Sequence, residues 1–246
     1  DNDWLILFFK FMFMKYLYFF ILIIFLSSCD TDEDIIAPKL DEYDLEVISY
    51  FKEIALGFEF GSSSQITRKW CSDLKIFIGG ETNSILLEEL DNIISEISSL
   101  ATDNFNMEIV SDSSLSNYYI FFGKGDDYAK IFPSASSYVN NNWGLFFLWY
   151  NSSNCLNRGH MYVDTDRANF IQAKHLLREE FTQSLGLAKD SDKYLNSIFQ
   201  SSWTETLLYS DLDKDLIRLL YHPKMSTGFD ATAVDGVLKE ILISEK

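Results

Sequence analysis

Glu179-Glu180-Phe181-Thr182-Gln183-Ser184-Leu185-Gly186-Leu187 reads as the end of a helix followed by the glycine that stops it. Glu179 and Gln183 stand one turn apart on the same row of side chains. Glu180 points about 100° away from Glu179, so the two carboxylates meet different surroundings. Gly186 lets the chain turn back where the helix ends. Upstream, Phe170, Ala173, Leu176, Leu177, Phe181 and Leu185 recur on or near one stripe, which extends the helix over residues 169–185.

Before that helix, residues 144–150 and 159–164 read as strands flanking the polar loop 151–154. Residues 107–110 and 118–123 are two more, and the second is apolar on both faces, as a central strand is. Ile85, Leu86, Leu90, Ile93, Ile94, Ile97 and Leu100 follow a helical period, with Thr82 or Asn83 as N-cap. Residues 70–80 read as a strand closed by a glycine pair. Residues 40–60 mix acidic and apolar side chains and end in an alternation that predicts a strand, broken by Gly61-Ser62-Ser63-Ser64.

In this order, residues 68–230 resemble a degenerate metzincin-like zincin. More closely, the chain resembles a domain-of-unknown-function family of bacterial lipoproteins in which E-E-x-x-Q-x-x-G-L replaces the zinc motif. Glu179, Glu180, Gln183, Gly186 and Leu187 carry that pattern here, with Asp190-Ser191 beyond. Ser197-Ile198-Phe199 falls where metzincins place a methionine-containing turn, and residues 212–221 resemble their closing helix, which ends in Leu-Tyr. The resemblance implies an α+β fold: a twisted mixed sheet packed on helices, with a C-terminal helical subdomain, in a single domain over residues 40–246.

The resemblance also implies a metal site, and here the residues depart from it. In H-E-x-x-H-x-x-G, two imidazoles one turn apart hold Zn²⁺ and the intervening Glu activates the metal-bound water. Glu179 and Gln183 occupy the ligand positions and Glu180 the general-base position. The third ligand position holds Lys189, whose ammonium has no lone pair to give. Phe199 stands in place of the methionine. The expectation is no cofactor and a binding or structural module whose motif cleft receives a peptide or protein partner. The alternative is a hydrolase with a divalent metal on Glu179, Gln183 and His175 or His160, and Glu180 as base.

His175 lies four residues before Glu179 and reads as an i,i+4 charge pair on a helix face. His160 falls in the strand before the motif helix, where it reaches either the cleft or the surface. His222, before Pro223, reads as a helix C-terminal residue. A buried Glu180 would need a donor, and Arg178, Lys189, Arg158, Arg167 or a tyrosine hydroxyl are the candidates. With Gln183 it would form a hydrogen-bonded cluster that requires no metal.

The N-terminus sets an address. Residues 4–26 are nearly all apolar, and Leu26-Ser27-Ser28-Cys29 is a lipobox, so residues 1–28 read as a signal peptide, with 1–13 upstream of the true start. The competing reading is a retained signal anchor. An acylated Cys29 would hold the protein to a membrane of the bacterial cell envelope, periplasmic or surface-exposed, through the acidic tether 29–39. The charges of the removed segment cancel, so the mature part keeps the full −17, which excludes nucleic acid as a natural partner. Cys71 and Cys155 either form a disulfide in an oxidising compartment or remain two thiols.

Three further patterns read as structure. Gly123-Lys124-Gly125-Asp126-Asp127 lacks the spacing of a nucleotide loop and reads as a strand-ending turn. Asp211, Asp213 and Asp215 suit the acidic first turn of a helix. Trp143, Phe146, Phe147, Trp149 and Tyr150 read as core and edge-strand packing, with a carbohydrate or peptide groove as the alternative.

Overall fold

In the computed structural model, which describes Met12, residues 38–58 and residues 63–246, one sheet is built from β1 (Lys69–Trp70), β2 (Leu74–Gly80), β3 (Met107–Ile109), β4 (Tyr118–Phe122), β5 (Gly144–Tyr150) and β6 (Cys155–Val163). Apart from Met12, the residues read as a signal segment, Cys29 and the acidic stretch up to residue 37 lie outside the described residues. β3, β2, β4 and β6 run parallel in that order, and β5 closes one edge antiparallel to β6. Leu156 pairs with both Trp70 and Tyr150, so β1 and β4 follow one another along the same edge of β6. This is the mixed sheet that the sequence predicts, with the doubly apolar strand β4 between two parallel neighbours.

Helices α1 (Glu42–Ala55), α2 (Ser84–Leu100), α3 (Gly125–Ile131), α4 (Phe170–Gln183), α5 (Asp211–Leu220) and α6 (Ala231–Ser244) complete the unit Lys39–Lys246. In α2 the Asn83 side chain accepts the Ile85 N–H at 2.8 Å, and Leu86, Leu90, Ile93 and Ile97 are buried. These side chains join Ile76 and Ile120 of the sheet and Leu177 and Phe181 of α4 in one core. Each fully buried Leu or Ile there contributes roughly 1.5–3 kcal/mol relative to an exposed one. α5 and α6 pack against α1 and add Leu216, Leu220, Leu238 and Ile241 to the same core.

Alternation gives the sheet a second, smaller core on its far face. Phe121 and Tyr162 point away from α2 and α4 and pack with Tyr128 of α3. The turn expected at residues 123–127 is therefore also a helix start, with Asp126 and Asp127 in its first turn.

The stretch 40–60 opens as a helix, no strand is formed over residues 56–58, and residues 59–60 of the predicted strand lie outside the described residues. Val47, Ile48, Phe51 and Ile54 repeat at helical spacing and are buried along α1. Asp41 accepts the Asp44 N–H at 3.0 Å while Asp44 accepts that of Asp41 at 2.7 Å, a capping box that starts the helix. Cys71, just after β1, is disulfide-bonded to Cys155, the first residue of β6. Among the described residues no helix is long and apolar enough to cross a membrane.

Candidate functional site

The motif helix α4 is fixed at both ends. Asn169 accepts the N–H groups of Ile171 at 2.9 Å and Gln172 at 3.1 Å, and Gln172 returns a bond to the Asn169 N–H. At the other end the Trp70 indole donates to the Ser184 carbonyl at 3.1 Å and the Tyr221 hydroxyl to the Leu185 carbonyl at 2.8 Å. Carbonyls that a helix leaves without partners are thus satisfied by β1 and by the Leu-Tyr end of α5. Gly186 follows with φ +118°, and a Cβ there would stand 2.0 Å from the Arg68 carbonyl oxygen. Only glycine fits that turn.

Along α4 the structure brings together His175, Glu179, Glu180 and Gln183, with Gly186 just beyond. His175 is only 2% exposed. Its Nδ1 lies 2.8 Å from the Thr206 carbonyl and so carries the proton, while Nε2 is 3.3 Å from Glu179 Oε2 and 3.4 Å from Thr204 Oγ1. Burial pushes the His175 pKa down, with the Thr206 bond opposing it. The i,i+4 pair with Glu179 read from the sequence is present, and its imidazole is covered. The cover is the segment around Trp203, whose ring meets His175 edge-on at 5.8 Å. Trp203 is itself 54% exposed and lies 5.7 Å from Trp143, the residue before β5.

Glu180 is half-buried and faces β5: a Cβ on Gly144 would meet its Oε1 at 2.9 Å. Burial raises the phenol pKa of Tyr118, and the Glu180 charge adds to the rise. Gln183 is buried and donates its amide N–H to Asp190. Burial pushes Asp190 above the usual carboxylate range, against the effect of that bond. Gln183 thus ties the helix to the loop that follows it.

The cations expected near Glu180 are held by other groups. Arg178 is buried and donates to Glu89 at 2.7 Å and Glu96 at 2.9 Å, which ties α4 to α2. Lys189 donates to Gln65. Arg167 bonds Asp164 at 2.8 Å and the Val139 carbonyl at 2.7 Å, and Arg158 lies 4.4 Å over the Trp149 ring. His160 reaches neither the motif cleft nor the surface. It is buried on the far face of the sheet, bonded to the Tyr128 hydroxyl and stacked on Phe132, because its parity in β6 is opposite to that of Met161 and Val163 in the main core.

These residues fit zinc poorly. Of the three ligand positions only Glu179 brings a carboxylate, Gln183 turns its N–H toward Asp190, and Lys189 points an ammonium at Gln65. Among the described residues no three His, Cys, Asp or Glu side chains are grouped to hold a metal ion.

The turn Ser197-Ile198-Phe199 is held by a buried carboxylate. Asp213 is fully buried and accepts from Ser197 Oγ at 2.6 Å, from the Ile198 N–H at 3.1 Å and from the Ser210 N–H at 2.9 Å. It therefore anchors Ser197-Ile198-Phe199 as well as capping α5. Its signal was the Ser210/Asp213 spacing of a capping box. Trp203, Thr204 and Thr206 sit in irregular chain with no periodicity to mark them.

Two solved structures resemble the chain in outline. One, described as "Structure of myroilysin", is 13% identical over 63% of this chain and 95% of its own, with a TM-score of 0.39. The other, "Crystal structure of myroilysin", is 13% identical over 75% and 98%, also at 0.39. No curated protein matches the chain. The family model described as "Protein of unknown function (DUF2927)" matches residues 44–240, and the chain belongs to that family.

Proposed function

We propose that the chain is a lipid-anchored protein of the bacterial cell envelope whose zincin-like domain is a binding or structural module, with the motif cleft as the seat of an extended peptide or protein partner and no cofactor. One observation carries this reading: Gln183 and Lys189, at two of the three ligand positions, spend their polar groups on Asp190 and Gln65. The cleft nevertheless keeps features that suit a polypeptide. Among the described residues β5 pairs only with β6, so its outer edge offers backbone groups for strand addition beside α4. Trp143 and Trp203 stand exposed where that edge begins.

The test uses the full-length chain in detergent. Elemental analysis is expected to find no stoichiometric divalent metal, and panels of extended peptides are expected to bind without being hydrolysed, with Trp203→Ala weakening binding about tenfold at unchanged stability. A stoichiometric metal that is lost in Glu179→Ala would overturn the reading. Mass spectrometry of the native N-terminus is expected to find diacylglycerol on Cys29; a mature chain that retains Met14 would refute the anchor.

The second reading, a hydrolase with an altered metal site and Glu180 as base, is favoured by one contact. His175 is held through Nδ1 by the Thr206 carbonyl, which turns Nε2 toward Glu179 Oε2 at 3.3 Å. Metal-dependent peptide hydrolysis abolished in Glu180→Gln would decide for it.

A further inference from the structure

The far face of the sheet holds a cavity that is independent of the motif. It has a volume of about 370 Å³, within the usual range for small-molecule sites, and is lined by Tyr119, Phe132, Trp149, Arg158 and His160 among others. Its walls are rings. Phe132 stacks on His160 at 3.8 Å and meets Tyr119 edge-on at 5.2 Å, and the Trp149 ring lies 5.3 Å from His160.

Beside these rings stand two donors, Arg158 and His160. The Tyr128 hydroxyl is 2.5 Å from His160 Nδ1, and burial keeps that phenol protonated, so its O–H donates to Nδ1. The imidazole is neutral because burial, with help from Arg158, pushes its pKa down to about 4. Its own proton then sits on Nε2, the nitrogen left to serve the cavity. Arg158 is exposed at the rim, its guanidinium 4.4 Å over Trp149. In a chain of net charge −17, most cations find carboxylates, yet the partner of Arg158 among the described residues is an aromatic ring.

Apolar walls with a guanidinium at the mouth and an N–H at the floor select a flat apolar body that carries an anion. We propose that this cavity binds a small aromatic carboxylate, its ring against Phe132, Tyr119 and Trp149 and its carboxylate between Arg158 and the His160 Nε2–H. A neutral aromatic would leave both donors unused, and an aliphatic acid would leave the ring walls unfilled.

Calorimetric titration of the full-length chain with N-acetylphenylalanine, with its uncharged amide, and with a short peptide ending in phenylalanine tests the assignment. The free acid should bind about tenfold or more tightly than the amide, as a charge-assisted bond requires. Arg158→Gln should remove that preference and Arg158→Lys should keep part of it, both at an unchanged melting temperature because the side chain is exposed. Equal binding of acid and amide, an Arg158→Gln variant that binds the acid as before, or no binding at roughly millimolar acid would overturn the proposal. Tighter binding of the peptide than of the free acid would overturn the small-molecule assignment.

Discussion

On the helix side of the sheet, His175 is buried under an irregular polar segment, with a carbonyl on one ring nitrogen and a carboxylate near the other. On the far side, His160 is buried among Phe132, Trp149 and Tyr128, with a single phenol as partner. Burial lowers both pKa values, so both rings are neutral at neutral pH. Their neighbours differ in kind. Around α4 the polar groups answer one another, as Gln183 does Asp190 and Arg178 does Glu89, which suits a region held in shape. On the far face the donors Arg158 and His160 meet rings and open space, which suits a ligand.

The largest expected effect breaks the motif side. Gly186→Ala forces a Cβ to within 2.0 Å of a backbone oxygen, at a φ of +118° that L residues avoid, and should cost about 4 kcal/mol in denaturant unfolding. A loss under about 1 kcal/mol would mean that the turn after α4 is not a fixed part of the fold.

A middle effect belongs to the far face and is read through pH. The folded-state pKa of His160 is about 4 against an ordinary 6.5, so the unfolded chain binds the extra proton and stability falls as pH drops from 6.5 toward 4. Over that window the wild type should lose about 3 kcal/mol more than His160→Gln, which has no imidazole to titrate. Parallel pH profiles would place His160 in water and dissolve the contrast between the faces.

The smallest effect sharpens the boundary between α4 and its edge strand. Gly144→Ala brings a Cβ to 2.9 Å from Glu180 Oε1 and 3.1 Å from Leu176 Cδ2, both ends of side chains that can shift. It should cost only about 1 kcal/mol, yet weaken peptide binding at the cleft by moving Glu180. A larger loss of stability would show that Glu180 cannot move.

Much of the frame was legible because local signals agreed with the fold. The stripes of α2 and α4, the cap at Asn83, one of the two residues offered for it, and the doubly apolar β4 all lie where periodicity puts them. α1 was missed because a short alternation at its end drew the reading from the longer helical period of Val47, Ile48, Phe51 and Ile54. The facing of His160 was hidden because β4 and the second half of β6 are covered on both faces, so pattern alone assigns no face. Trp203 and Thr206 come to His175 through irregular chain, and no spacing rule reports such a contact.

The bond between Cys71 and Cys155, residues 84 apart in sequence, closes a covalent ring that contains β2, α2, β3, β4, α3 and β5. α4 departs only after β6, so the motif helix hangs outside that ring while its end is gripped by Trp70, next to the bond. A protease that nicks the ring once leaves a single covalent molecule, with the motif helix still tied to the strand that caps it. That topology turns a cut into a defect that the protein survives.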